Sequence, residues 1–114
     1  MMTPDERQFL LTTMWLFMRH GQPVRARAMC EALVEENPRD GVAAAAFAEL
    51  LLDAGEAQGA LDAIRAADFP PGLSHAEAVL ETRALRMAGR RAEADFRWRR
   101  YLESRKGTER KWIA

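Results

Sequence analysis

The sequence predicts an all-α protein built of three helix–turn–helix repeats. Two observations predict it. Gly21, Gly55 and Gly89 recur every 34 residues, and Ala26, Ala60 and Ala94 follow each glycine by five. Between them run helix-favouring segments, with no stretch that alternates apolar and polar residues as a strand does. The two columns have a packing reason. Glycine takes positive φ in a tight turn between helices, and alanine lets the second helix of each pair approach the first closely.

The helices are expected at 5–19, 23–36, 41–54, 57–67, 75–88 and 91–105. Thr3 is placed to cap the first, with Pro4 in its first turn, and Pro23 opens the second. Asn37-Pro38 closes the first repeat. The run Ala43–Ala46 favours the third helix, and Asp68-Phe69-Pro70-Pro71-Gly72 breaks the chain before the fifth. Ser74 with Glu77 three residues on reads as a capping box for that fifth helix. Phe17, Leu33, Leu51 and Ala60 are expected to face the interior of the helix pairs.

Composition bounds the rest. The chain has 114 residues, 48% of them apolar, with 17 basic and 17 acidic side chains, which suits one domain over 1–114 and not a disordered chain. A single cysteine excludes an intrachain disulfide framework and suits a reducing compartment. The run Phe9–Met18 is about half the length of a membrane span and lacks the flanks of a signal peptide, so a cytoplasmic protein is expected. The charges are polarised: residues 1–82 carry a net −7 and residues 83–114 a net +7.

No catalytic constellation emerges. His20 and His75 fit no metal spacing and read as solvent-facing helix-end residues, and Cys30 falls in a buried column. The adjacent pairs Asp5-Glu6 and Glu35-Glu36 diverge on a helix and cannot flank one bond. The expectation is a protein that is not an enzyme and uses no metal or cofactor.

The 34-residue period and its columns resemble the tetratricopeptide repeat, with repeats at about 7–40, 41–74 and 75–108 and a short C-terminal tail. The resemblance implies a short right-handed superhelix with a concave groove lined by the first helix of each pair. Leu10, Ala44 and Ala78 stand in that family's tryptophan column, and Thr13 and Glu81 stand where leucine is usual, so Glu81 is expected to point toward a core. The first helix is apolar nearly all round, which one buried stripe does not explain. Leu11, Trp15 and Met18 fall on the groove side; Ala45, Leu52 and Val79 continue it, and Glu49, Arg83 and Arg86 (with Asp53) supply polar register. The expected role of this groove is to bind a partner segment. Phe96, Trp98, Tyr101 and Leu102 on the last helix, with Trp112 and Ile113 beyond it, form a possible second partner surface.

The start Arg7-Gln8-Phe9-Leu10-Leu11, Trp15, Asn37-Pro38 and Tyr101-Leu102-Glu103 are similar to the YscY (SctY) family of type III secretion chaperones. That resemblance implies a small bacterial cytosolic chaperone that binds a small secreted protein of the YscX (SctX) type. As a heterodimer, it implies, the pair docks on the cytosolic domain of the export gate of YscV (SctV) type and supports export of early substrates, peripheral to the inner membrane and with no direct membrane insertion. Two alternatives stand beside it. One is a needle-subunit chaperone of YscG type. The other, in a different class, is a helical repeat protein that holds nucleic acid through the basic third repeat, from Arg83 to Lys111. Glu93, Asp95 and Glu103 interrupt that basic stretch, and no nucleic acid is expected.

Overall fold

The computed structural model describes residues 2–113, with side chains through residue 107. Six α-helices follow one another: α1 (Pro4–Arg19), α2 (Pro23–Glu36), α3 (Gly41–Asp53), α4 (Ala57–Ala66), α5 (Ser74–Met87) and α6 (Arg91–Ile113), with a 3-10 turn at Pro71–Leu73. Among the described residues there is no strand, only an isolated bridge between Asp40 and Asp68. The expected boundaries hold within a residue or so except at α6. That helix continues to Ile113 instead of ending at 105, because no proline or helix-breaking cluster follows Leu102. The side chains of Trp112 and Ile113 lie outside the described residues.

Each turn inside a repeat is the same motif. Gly21, Gly55 and Gly89 have φ of 67°, 78° and 79°. The N–H after each glycine reaches back to a carbonyl five residues earlier: Gln22 to Phe17 at 2.9 Å, Glu56 to Leu51 at 2.8 Å and Arg90 to Leu85 at 2.8 Å. This is the Schellman closure, and the positive φ is what permits it. Five residues on, Ala26, Ala60 and Ala94 are fully buried, as close helix approach requires.

The caps are unequal. The Thr3 hydroxyl accepts from the Glu6 N–H at 3.1 Å, as expected. Ser74 does not cap α5; it is the first residue of the helix, and its hydroxyl donates to the Pro71 carbonyl at 2.8 Å. The 3-10 turn moves the helix start forward by a residue and breaks the capping box. The tightest backbone approach is at Gly41, where an added Cβ would lie 2.5 Å from the Asp68 carbonyl oxygen. The loop after α4 therefore closes on the start of α3, held by the Asp68 N–H to Arg39 carbonyl bond at 2.9 Å.

Two apolar clusters fill the array. One gathers Met14, Ala26, Cys30 and Leu50, with Leu11, Phe17, Met18, Met29 and Phe47 half-buried around it. The other gathers Leu51, Leu52, Leu61, Ile64, Leu80 and Leu85 with the alanines at 48, 60, 84 and 94. Leu33, Leu51 and Ala60 are interior, as expected; Phe17 is only half-buried, with the Arg25 guanidinium 5.8 Å from its ring centre.

Candidate partner-binding groove

The first helices of the repeats lie side by side and leave a hollow of about 390 Å³ between α1, α3 and α5. Its apolar lining is Met14, Trp15 and Met18 from α1, Ala45 and Ala46 from α3, and Ala76, Val79 and Leu80 from α5. Its polar lining is Glu49, His75 and Arg83. The hollow exists because α3 and α5 present alanines where α1 presents methionine and tryptophan. Trp15 stands 52% exposed, with the Arg19 guanidinium 4.8 Å from its ring centre. Arg83 crosses from α5 toward α3, with nitrogens 4.0 Å from Glu49 and 3.9 Å from Asp53.

The structure brings together six of the nine residues assigned to the groove from sequence: Trp15, Met18, Ala45, Glu49, Val79 and Arg83. Leu11 is not among the lining residues; it packs, half-buried, on the cluster around Met14. Leu52 is a correction. It is 2% exposed and belongs to the interior cluster with Leu80 and Leu85. Met18 occupies the same column one repeat earlier, but α1 is the edge of the described array whereas α3 is covered on both sides. Arg86 also departs: it turns toward α6, where its guanidinium is 3.7 Å from Asp95.

The sequence reading missed Ala46, Ala76, Leu80 and His75, and took Met14 as a packing residue only. The signal for the alanines was available, since small residues on first helices are what leave room. His75 stands one period after Gly41 and two after Arg7, at the opening of a first helix. It is exposed, yet it is more than a solvent-facing end. Its Nδ1 shares a hydrogen bond of 3.2 Å with the Tyr101 hydroxyl, and its ring lies 6.2 Å edge-on from Trp98.

The second expected surface divides. Trp98, Tyr101 and Leu102 are half-buried, and Trp98 and Tyr101 join His75 at the end of the groove. Phe96 is 61% exposed and lines a separate hollow of about 350 Å³ with Arg65, Leu85, Ala92, Arg97 and Arg100. Two residues along a helix are roughly 200° apart, so Phe96 and Trp98 cannot share a face.

Much of the basic stretch is neutralised in place. Arg90 pairs with Glu93 at 2.6 Å, Arg97 with Glu81 at 2.5 Å, and Arg83 and Arg86 lie near the carboxylates named above. The side chains of Arg110 and Lys111 lie outside the described residues. Glu81 does point inward, as expected, and is held there by two cations, Arg97 from α6 and Arg65 from α4 at 3.3 Å. Arg7 clamps Asp40 with two bonds, Nε to Oδ2 at 2.8 Å and Nη2 to Oδ1 at 3.0 Å, while Oδ1 also accepts from the Ala43 N–H. The Arg7 guanidinium holds the Asp40 carboxyl below its ordinary range. Burial pushes the Cys30 thiol up to about 12, so it stays protonated and is no nucleophile at neutral pH. Among the described residues no three His, Cys, Asp or Glu side chains gather as metal ligands, and no helix is long and apolar enough to cross a membrane.

Paired helices on a 34-residue period, Schellman turns at each glycine and a hollow lined by the first helices define a tetratricopeptide-like fold, a scaffold for protein–protein interaction. The tetratricopeptide repeat family matches residues 17–70, the stretch from the end of α1 through α4. No curated protein matches the chain.

Proposed function

We propose that the chain is a type III secretion chaperone of the YscY (SctY) kind, whose groove holds a small secreted partner of the YscX (SctX) type. The heterodimer then docks on the cytosolic domain of an export gate of YscV (SctV) type, in the bacterial cytoplasm beside the inner-membrane export apparatus, and supports export of early substrates. The observation that carries the reading is the uncovered apolar hollow on the first helices, with Trp15 standing out of it. A half-exposed tryptophan beside methionines is costly to leave in water and is a typical anchor for a partner. The residues of the YscY resemblance also have definite places: Arg7 ties α1 to α3, Asn37 Oδ1 accepts from the Arg39 N–H at 3.1 Å, and Tyr101 bonds His75.

The test is co-expression of the tagged chain with a YscX-type protein, followed by capture of the gate's cytosolic domain. A one-to-one complex is expected, weakened by ~2 kcal/mol or more in Trp15→Ala. Helicity of that variant should be retained. Absence of a complex, or one that Trp15→Ala and Val79→Glu leave unchanged, would sink the reading. Capture of a needle subunit instead would move the chain to the YscG type.

A further inference from the structure

Within the chain the junction between repeats occurs twice, α2 against α3 and α4 against α5. At the first, Leu50 shares a buried cluster with Cys30; at the second, Ala84 shares one with Ile64. The same two columns reach the ends of the described array without each other. Leu16, one period before Leu50, is 45% exposed on α1, and Trp98, one period after Ile64, is half-buried on α6. The array thus carries the two halves of a third junction on opposite ends.

The polar contacts of the existing junctions tell whether the halves fit. Moved along by the 34-residue period, each contact seen in the chain becomes a contact between two copies. The Arg7–Asp40 pair becomes His75 of one copy against Glu6 of the next. The Asp53–Arg83 approach becomes Met87 against Trp15, both about half exposed here. The Arg65–Glu81 pair becomes Arg99 against Thr13. No like charges meet: one position offers a cation to a carboxylate, and one offers a thioether to an aromatic ring. The net −7 of residues 1–82 and +7 of residues 83–114 favour the same head-to-tail order.

From this we infer that the chain stacks head to tail on a second copy of itself, the α5–α6 end of one copy covering α1 of the next as α4 covers α5 within the chain. The contact is heterologous, so growth does not stop at two unless an end is blocked. It is independent of what fills the groove.

Sedimentation velocity of the free chain tests it, from ~10 μM to ~1 mM, where even a weak interface with Kd ~1 mM is substantially associated. The average mass should rise past that of a dimer. Leu16→Glu removes one half of the contact and Met87→Glu the other; both residues are exposed, and helicity by circular dichroism should be unchanged. Each variant alone should stay monomeric, whereas their equimolar mixture should form a dimer and stop there. Val24→Glu, exposed but on neither end, should assemble like the parent. A parent that remains monomeric or halts at a dimer, a mixture that stays monomeric, or loss of assembly in Val24→Glu would each overturn the inference.

Discussion

The two apolar clusters of this array are made differently. The cluster of α3, α4 and α5 has ten buried members, all leucine, isoleucine or alanine. The cluster of α1, α2 and α3 has four, two of them sulfur-bearing, and most of its neighbours are half-buried, including Met18 and Met29. Branched aliphatic side chains in defined rotamers make a rigid interior, whereas thioethers on unbranched stems repack readily. The adaptable cluster borders the groove, through Met14 and Met18, and the rigid one supports it from behind. A surface that must accept another chain is thereby placed on the part of the molecule that yields most easily.

The largest effect that would break this comparison is in the rigid cluster. Leu61 is fully buried, so Leu61→Ala should cost ~2–5 kcal/mol in urea unfolding. Leu11→Ala, half-buried beside the groove, should cost well under half of that. Equal losses would mean that the two halves are equally packed.

The rigid half is also where charge enters the interior. Glu81 and Arg97 are each 14% exposed as side chains, with Arg65 completing the trio. Phe47 fills the Glu81 column one repeat earlier. Glu81→Ala leaves Arg97 without its carboxylate and should cost ~1.5–3 kcal/mol. The double replacement Glu81→Leu with Arg97→Met restores an apolar pair and should recover most of that loss, because a buried ion pair and a packed apolar pair are often close in energy. A double variant no better than the single one would show that the trio contributes more than filling the space.

A smaller test concerns the turns. Gly55→Ala places a Cβ at φ +78° and should cost ~1–2 kcal/mol, although nothing lies within 4 Å to clash with it. Thr82 then offers a gain. Its hydroxyl is buried and has no hydrogen-bond partner among the described residues. Thr82→Val keeps the shape, removes the unsatisfied group and should raise stability by ~1 kcal/mol, read as a higher melting temperature.

Acid sharpens the contrast with opposite signs in the two halves. Asp40, held low by the Arg7 bonds, contributes stability that is present above its unfolded pKa and lost as pH falls through the lower folded value. Burial raises Glu77 on α5, so its penalty stands above the unfolded pKa only in part and fully once pH exceeds the raised folded value; acid relieves it. Hydrogen exchange followed downward from neutral pH should therefore show α1 loosening from α3 before α5 does. Asp40→Asn should remove that order, and its persistence would count against the Arg7–Asp40 tie.

Most of the fold was legible because the repeat is local. The glycine column needs only a turn, the alanine column only a close helix approach, and both are written every 34 residues. Cap chemistry was legible at Thr3 but not at Ser74, where the Pro70-Pro71-Gly72 segment forms a 3-10 turn that takes over the helix start. The groove was legible from the all-round apolar character of α1 and the alanines opposite it. Leu11, Leu52 and Arg86 were misplaced there, because one column has different surroundings in an edge helix and a central one.

The sequence by itself determined the six helices, their pairing and which face of the first helices meets in the groove, since each follows from periodicity and short-range steric preference. Only the tertiary structure decided which residues of that face stay open. Burial of a side chain depends on neighbours far along the chain, as Leu52 shows by closing under α5 while Met18 stays in the hollow. The same holds for Glu81. Its charge reads as a conflict with a core position until Arg65 and Arg97, each 16 residues away on opposite sides along the chain, are brought against it by the packing of α4 and α6 on α5.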